Sequence, residues 1–233
     1  MLSGTQYYVA LGSYVRFPYL NPAMAPTNST SIERLRRDGA IQIIPSAKLE
    51  LVQLRDFLTP DHCDRLMALI DADRRPSTLA DANGDAGFRT SETCDLPAHE
   101  PAVAELETKL NALTGIDPVF GEPVQGQRYA VGQEFKAHCD WFNPDGEDFD
   151  RYCRIAGQRS WTFMIYLNAV EAGGATRFKA IGKSFQPETG KLLGWNNMRP
   201  DGRPNPNTLH HGMKVRRGAK YIITKWYRER AWG

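Results

Sequence analysis

The tripeptide His138-Cys139-Asp140 constrains the fold of this chain more than any other feature of its sequence. It lies between a strand-like run of residues and a segment rich in turn formers. Residues two apart on a β-strand share a face, so His138 and Asp140 are predicted to point together into the interior of a barrel. Two imidazoles and one carboxylate form the ligand set of open non-haem Fe(II) sites. On chemical grounds either His210 or His211 is suited to complete this set.

A second copy of the same pattern, His62-Cys63-Asp64, serves as a control. Thr59 and Pro60 precede it as a helix N-cap and first helical residue, so this copy is predicted to lie in a helix. Helical positions two apart point about 200° away from each other around the axis. The two side chains therefore cannot close on one ion, and His62 is predicted to be a surface residue.

The order of the predicted elements indicates the fold class. Two helices, from Thr59 to about residue 73 and over residues 100–113, precede most of the strands. Residues 21–33 are predicted to form a loop, and residues 41–58 two strands. Further strands are predicted at 125–131, 160–167, 191–195 and 219–226. Helices followed by strands favour an α+β domain, with the strands in a barrel or double sheet that the helices support.

Composition limits the domain count and the partners. The chain has 233 residues, and we predict an N-terminal arm over residues 1–40 and a single domain over residues 41–233. A formal net charge of +2 gives no reason to expect a nucleic-acid partner. No apolar stretch has the length of a membrane span, and the start of the chain lacks the pattern of a signal peptide. The four cysteines are widely spaced, which predicts reduced thiols and a cytoplasmic location.

Beyond these patterns, residues 125–228 resemble the prolyl 4-hydroxylase family of Fe(II)/2-oxoglutarate dioxygenases. The shared motifs are Gly-Gln-Glu-Phe at 132–135, Gly-Gln-Arg-Ser-Trp-Thr at 157–162, Tyr-Leu-Asn at 166–168, Gly-Gly-Ala-Thr-Arg-Phe at 173–178, Arg-Pro-Asp-Gly at 199–202, Thr-Leu-His at 208–210, Gly-Ala-Lys at 218–220 and Thr-Lys-Trp at 224–226. Upstream, Phe-Leu-Thr-Pro at 57–60 and Phe-Arg-Thr-Ser at 88–91 are also similar to the family. The resemblance covers about three-quarters of the chain and implies a double-stranded β-helix (jelly-roll) core, with the metal and co-substrate residues within 123–228.

The resemblance also implies a ligand set and co-substrates. It makes His138, Asp140 and His210 the iron ligands and Lys220 the partner of the distal carboxylate of 2-oxoglutarate. Lys225 is the competing lysine, but alternation along the strand places it on the opposite face from Lys220. The implied cofactor is Fe(II), the co-substrates are 2-oxoglutarate and O2, and ascorbate is a candidate auxiliary reductant.

Five further residues are predicted around this centre. Tyr129, Thr162 and Tyr166 are predicted to contact the co-substrate, with barrel packing as the alternative for each. Arg159 and Trp195 are predicted to contact the substrate, with an exposed strand end and core packing as their respective alternatives.

The function that the resemblance implies is hydroxylation of a prolyl residue in a peptide or protein. One alternative is a hydroxylase that acts on a free amino acid or a small specialised metabolite. Another is a binding or sensor module without catalysis, although the intact ligands argue against it. The oligomeric state is not readable from the sequence.

Overall fold

The structure, a computed structural model, describes residues 28–78, 87–146 and 149–232. Residues 1–27 of the predicted arm lie outside these ranges. The described helices are α1 (Asn28–Arg37), α2 (Pro60–Ala72), α3 (Pro101–Thr114) and α4 (Phe149–Cys153), with 3-10 turns at Pro118–Phe120 and Pro206–Thr208. The strands are β1 (Gln42–Ile43), β2 (Leu51–Leu54), β3 (Arg75–Pro76), β4 (Glu92–Asp95), β5 (Gln125–Tyr129), β6 (Phe135–His138), β7 (Arg159–Tyr166), β8 (Ala172–Gly173), β9 (Thr176–Phe178), β10 (Lys183–Phe185), β11 (Leu192–Asn196), β12 (His210–Gly212), β13 (Val215–Arg217) and β14 (Lys220–Arg228). Within the described ranges, no helix has the length and apolar character that a membrane crossing requires.

The strands form two antiparallel sheets and one short pair. The larger sheet has the order β1-β2-β11-β7-β14-β5-β4-β3, the smaller has the order β10-β9-β12-β6, and β13 pairs with β8. Side chains from the inner faces of both sheets share one buried cluster, to which β7 contributes Met164, β9 Phe178 and β11 Trp195. The sheets therefore face each other, which is the α+β double-stranded β-helix that the sequence predicted.

Strand β7 is buried on both of its faces. Met164 and Tyr166 point between the sheets, whereas Trp161, Phe163 and Ile165 pack into a second cluster with α2 and α3. Strict alternation along the strand separates these two sets. Helices α2 and α3 thus cover the outer face of the larger sheet, and β7 belongs to two cores at once.

Local signals in the sequence explain the limits of these two helices. The side chain of Thr59 accepts a hydrogen bond from the backbone N–H of His62, as its predicted role as N-cap of α2 requires. Gly115 ends α3 in the left-handed conformation, with φ at 68°, where a residue with a side chain would be strained. Both predicted helices are confirmed, with ends shifted by a residue or so.

The predicted loop over residues 21–33 is wrong over its last part, which belongs to α1. Ile32 and Leu35 are buried in the cluster that α2 and α3 share. Arg34 donates a hydrogen bond of 2.7 Å to the backbone oxygen of Ala112 in α3. Tertiary packing has stabilised a helix whose composition alone did not predict one. Where the structure describes it, the predicted arm is part of the same domain.

The prediction that His62 lies on the surface is also wrong. Its side chain is 1% exposed, with Nε2 2.7 Å from the backbone oxygen of Ala102 and Nδ1 3.2 Å from Glu105. Helix α3 packs across the face of α2 that contains His62, so the imidazole joins the two helices. Asp64, two residues further along, is exposed. The two side chains diverge as the helical repeat predicted.

Candidate metal centre

The predicted ligands come together at one end of the smaller sheet. His138 is the last residue of β6 and pairs directly with His210, the first residue of β12. Their ring centroids are 4.3 Å apart. One ligand atom from each ring and one from Asp140 all lie within 4.8 Å of one another. His211 takes no part in this cluster, because its Nε2 lies 3.0 Å from a carboxylate oxygen of Glu134.

Backbone carbonyls orient both imidazole rings. The Nδ1 atom of His138 lies 2.8 Å from the oxygen of Lys136, and that of His210 lies 3.0 Å from the oxygen of Thr208. Because a carbonyl only accepts, each Nδ1 must hold the hydrogen, which leaves the Nε2 lone pair free. Burial, together with the neighbouring His210, lowers the pKa of His138 to about 3. This imidazole is therefore neutral, the form that binds metals.

The two oxygens of Asp140 have different surroundings. Oδ2 accepts a hydrogen bond of 2.7 Å from the hydroxyl of Thr162 in β7. Oδ1 faces the histidines, at 3.6 Å from Nε2 of His138 and 3.9 Å from Nε2 of His210. Burial alone would raise the pKa of Asp140, but the histidines, Arg159 and the Thr162 hydrogen bond outweigh it and lower the pKa. Asp140 is thus an ionised carboxylate with one free oxygen.

This donor set fits Fe(II). Ligand atoms about 2 Å from a shared ion lie within about 4 Å of one another, which agrees with the Oδ1–Nε2 distances at Asp140. Two imidazole nitrogens and one carboxylate oxygen on one side of an ion leave the opposite positions open for other ligands. His138, Asp140 and His210 are thus the residues that would hold the metal.

Lys220 lies in the same cavity as the three ligands. The cavity is open to solvent and has a volume of about 390 Å³, open part included. All three ligands, Lys220 and Trp226 are among the residues that line it. The side chain of Lys220 is 1% exposed, and its Nζ lies 4.9 Å from the ring centre of Tyr129 and 5.6 Å from that of Tyr166. Among the described residues, no carboxylate pairs with it, and burial lowers the pKa of Lys220 to about 7. An anion that enters the cavity would supply the missing partner.

Lys225 has the opposite surroundings, as alternation predicted. Its Nζ lies on the helix side of the sheet, where it contacts Glu107 of α3 at 2.5 Å and the backbone oxygen of Glu122 at 2.7 Å. Lys225 is therefore a structural residue between β14 and α3, and Lys220 is the lysine that faces the metal ligands.

The three residues predicted to contact the co-substrate differ in their surroundings. Tyr129 lines the cavity, and its hydroxyl donates to Gln127 at 2.8 Å. The hydroxyl of Tyr166 lies 2.7 Å from that of Thr176, so it is already paired inside the protein. Thr162 donates its single hydroxyl hydrogen to Asp140. The predicted contact with co-substrate therefore stays a prediction for Tyr129, and the hydrogen bonds of Tyr166 and Thr162 do not favour it.

Arg159 is not an exposed strand end, because its side chain is only 17% exposed. Its guanidinium makes two hydrogen bonds to Glu122, of 2.6 and 2.8 Å, and one of 3.3 Å to the backbone oxygen of Asp140. It also lies 3.9 Å above the ring centre of Trp226. These contacts connect Arg159 to the aspartate segment, while its contact with substrate stays a prediction.

Trp195 lines the cavity but is only 1% exposed. Its ring stands edge-on to His210 at 4.9 Å and to Phe178 at 5.3 Å. Trp195 therefore packs against the ring of the ligand His210 and restricts its movement. Its contact with substrate stays a prediction.

Three supporting residues were missed by the sequence reasoning. Phe135 stacks on the ring of His138 with centroids 3.5 Å apart, and the guanidinium carbon of Arg89 lies 4.9 Å from the centre of the Phe135 ring. Asn197 donates to Thr162 at 2.8 Å. Asn197 stands two residues after the cavity-lining Trp195, so alternation was a usable signal for it, whereas nothing local indicated the stacking of Phe135.

Comparisons with known proteins agree with this centre. Residues 124–228 match the family model of the 2OG-Fe(II) oxygenase superfamily. Prolyl 4-hydroxylase 5 of Arabidopsis thaliana is 31% identical over 200 residues, which are 76% of this chain and 67% of the plant protein. Prolyl 4-hydroxylase subunit alpha-1 of Gallus gallus is 29% identical over 188 residues, which are 78% of this chain. The match spans only 36% of the chicken protein and about two thirds of the plant relatives.

Solved structures give the same result. The viral collagen prolyl hydroxylase of Paramecium Bursaria Chlorella virus-1, in its complex with 2OG, superimposes with a TM-score of 0.60 and 28% identity. That match covers 76% of this chain and 95% of the viral one. A prolyl-4-hydroxylase of Pseudomonas putida shares the fold, with a TM-score of 0.53 at 18% identity.

Proposed function

This chain belongs to the prolyl 4-hydroxylase family of Fe(II)/2-oxoglutarate-dependent oxygenases, and we propose that it hydroxylates a prolyl residue in a peptide or protein. One observation supports the chemistry above all others. His138, Asp140 and His210 offer three ligand atoms within 4.8 Å of one another. The same cavity contains the buried amine of Lys220, which pairs with no carboxylate in the described part of the chain. These residues have the chemistry to bind a metal and a carboxylate.

When bound, Fe(II) and 2-oxoglutarate supply the oxidative chemistry, in which one atom of O2 enters succinate, the other enters the new hydroxyl group, and CO2 is released. The residues of the chain have simpler tasks. His138 and His210 present neutral Nε2 atoms because their Nδ1 hydrogens are bound to carbonyls. Asp140 presents Oδ1 and is kept ionised by its surroundings.

Lys220 would bind the carboxylate of 2-oxoglutarate that is remote from the metal. A buried ammonium group gains most from an ionic partner, since its charge is otherwise desolvated. The rings of Tyr129 and Tyr166 exclude water around Nζ, and Lys225 is tied to Glu107 on the other side of the sheet. One cation therefore sets the depth and the direction of the co-substrate.

The substrate class rests on the relatives. One relative is a viral collagen prolyl hydroxylase, so a proline-rich peptide is the first substrate to test. The side chain of His138 is 14% exposed, which places the ligand cluster close to the opening of the cavity, where a peptide could reach it. A cytoplasmic location stays a prediction from the sequence.

The test measures succinate formation from 2-oxoglutarate in the presence of Fe(II) with a proline-rich peptide, with free proline, and without substrate. Mass spectrometry then checks each candidate for one added oxygen atom. The Asp140→Ala variant is the matched control, because it removes a ligand from the centre. Succinate and hydroxylated peptide together support the proposal.

Two other outcomes would contradict it in different ways. Turnover of free proline alone would assign the protein to small-molecule metabolism and leave the metal chemistry intact. Absence of succinate in all three reactions would contradict the enzymatic function itself and favour a binding module.

A further inference from the structure

We propose that Asn197 and Thr162 form a relay that fixes which oxygen of Asp140 meets the metal, and that Asn197 is a positioning residue of the centre. The inference rests on the proposed metal site and concerns its supporting residues. None of the motifs that predicted the centre includes Asn197, which follows directly after β11.

The relay is a line of two short hydrogen bonds inside the barrel. Asn197 Nδ2 lies 2.8 Å from the hydroxyl oxygen of Thr162, which lies 2.7 Å from Oδ2 of Asp140. Thr162 and Asn197 are each fully buried, at 0% exposed. Water therefore does not compete for either bond, and the geometry of the carboxylate depends on these two side chains.

The direction of both bonds follows from the chemistry of the groups. An ionised carboxylate only accepts, so the single hydrogen of the Thr162 hydroxyl must point to Asp140. The hydroxyl oxygen can then only accept from Asn197, which requires the amide nitrogen, not the amide oxygen, on that side. Each member of the line thus determines the orientation of the next.

The position of Asn197 is not explained by stability. Its Oδ1 is buried and has no hydrogen-bond partner among the described residues. An unpaired buried acceptor destabilises a fold, and a hydroxyl or a small apolar residue at this position would avoid the problem. The described hydrogen bond of this amide is therefore the one from its N–H group to the hydroxyl of Thr162.

The backbone of Asn197 is connected to a second ligand. Its N–H donates to the oxygen of Ser160 and its oxygen accepts from the N–H of Asn205, both at 2.8 Å. The oxygen of Asn205 accepts from the hydroxyl of Thr208 at 2.7 Å, and the oxygen of Thr208 orients the ring of His210. The segment from 197 to 208 therefore supports Asp140 through a side chain and His210 through the main chain.

The relay also assigns the two oxygens of Asp140 to different partners. With Oδ2 held by Thr162, only Oδ1 remains for an ion, so the carboxylate binds through one oxygen. Loss of the relay would leave Oδ2 buried without a partner and free the carboxylate to rotate. Residues that orient metal ligands in this way typically change metal affinity by about 10–100-fold when they are removed.

The experiment titrates the metal-free protein with Co²⁺ and follows both the heat of binding and the visible absorption of the bound ion. We expect Thr162→Val to weaken Co²⁺ binding by about 10–100-fold and to alter the absorption spectrum, because the carboxylate changes its binding mode. Thr162→Ser keeps the hydroxyl and should bind within about threefold of the wild type. Asn197→Ala should weaken binding less than Thr162→Val, since Thr162 remains.

The matched control is Thr114→Val, which likewise removes a buried threonine hydroxyl. The hydroxyl of Thr114 donates to the backbone oxygen of Leu110 in α3 and has no part in the relay. It should lower the thermal stability without a change in Co²⁺ affinity or spectrum. This separates a positioning role from a general loss of stability.

The outcomes are distinct. If Thr162→Val and Asn197→Ala both bind Co²⁺ like the wild type, with the same spectrum, the relay is refuted while the metal site stands. If Thr162→Val does not fold, Asn197→Ala decides alone, and unchanged affinity in it refutes the relay. If the wild type itself binds no Co²⁺, the metal site and the relay fail together.

Discussion

The same tripeptide occurs in two regions of this molecule with opposite results. In α2, His62 and Cys63 face the interior while Asp64 is exposed to solvent. At the end of β6, His138 and Asp140 face one another across a gap of 3.6 Å between Nε2 and Oδ1. The two copies consist of the same residue types. They differ in the direction of their side chains, which repeats every 3.6 residues in a helix and every two residues in a strand.

The comparison teaches that a ligand motif has meaning only together with its secondary structure. The helical copy became a structural contact, in which His62 joins α2 to the backbone of α3 at Ala102. The strand copy became a metal centre because a third ligand, His210, pairs with His138 in the neighbouring strand. Four predictions follow from this contrast, in order of decreasing effect.

The largest contrast is between the two aspartates. Asp140→Ala should lower Co²⁺ affinity and succinate formation by more than about 100-fold, because a ligand matters more than its supporting residues. Asp64→Ala, at an exposed helix position, should stay within about twofold of the wild type. A titration with Co²⁺ and a succinate assay measure both variants, and equal losses in the two would remove the distinction between the copies.

Metal addition should raise the unfolding temperature of a variant in the helical copy but not of a variant in the strand copy. A metal at 100 times its dissociation constant stabilises a protein by about 2.7 kcal/mol when it binds only the folded state. We expect this stabilisation in the wild type and in His62→Ala, and none in Asp140→Ala. Thermal unfolding with Mn²⁺ and with a chelator provides the comparison, and a shift in Asp140→Ala would show that the ion binds elsewhere.

The helical copy should reveal itself in the metal-free protein. His62→Ala removes a buried ring and its hydrogen bond to Ala102, which should lower the free energy of unfolding by about 2 kcal/mol. The exposed His99 is the control, and His99→Ala should change that free energy by less than about 0.5 kcal/mol. Denaturant unfolding curves measure both, and a negligible effect at His62 would mean that the ring contributes nothing between the helices.

The smallest predicted effect is the pH dependence of co-substrate binding at Lys220. This buried lysine lies beside the strand copy of the motif, in the cavity of the metal ligands. Its pKa of about 7 means that Lys220 loses its proton as the pH rises above 7, whereas the bound dicarboxylate requires the charged form. Affinity for 2-oxoglutarate in the metal-loaded protein should therefore fall about fivefold from pH 7 to pH 8, with uptake of a proton. Calorimetry in two buffers measures this, and Lys220→Arg, which stays charged, should flatten the profile.

Much of this site was readable from the sequence because each ligand lies in or beside a regular strand. Alternation correctly separated Lys220 from Lys225. His138 and Asp140 do converge as predicted, but β6 ends at His138 and Asp140 lies in the bend that follows, so a continuous strand is not the reason. The Thr59 cap and the Gly115 stop likewise defined the limits of α2 and α3, since these signals act within one turn of helix.

The rest depends on contacts between distant segments. The burial of His62 follows from where α3 packs, which no pattern inside α2 contains. The helix at Asn28–Arg37 forms against α3 although its sequence is rich in small polar residues. The hydrogen bonds of Arg159 to Glu122 and of Thr162 to Asp140 likewise join distant segments. The family motif therefore indicated where these two residues lie, but not which groups they contact.

Strand β7 has a consequence for anyone who wishes to alter this protein. Its odd-numbered residues from Trp161 to Ile165 fill the core beneath the helices, and its even-numbered ones include Thr162 in the relay and Met164 in the cavity wall. A library directed at this strand would therefore damage either folding or the centre at nearly every position. Exposed positions of the smaller sheet such as Arg177 lie outside both cores. Substitutions at such positions should disturb folding and the metal centre less than substitutions in β7.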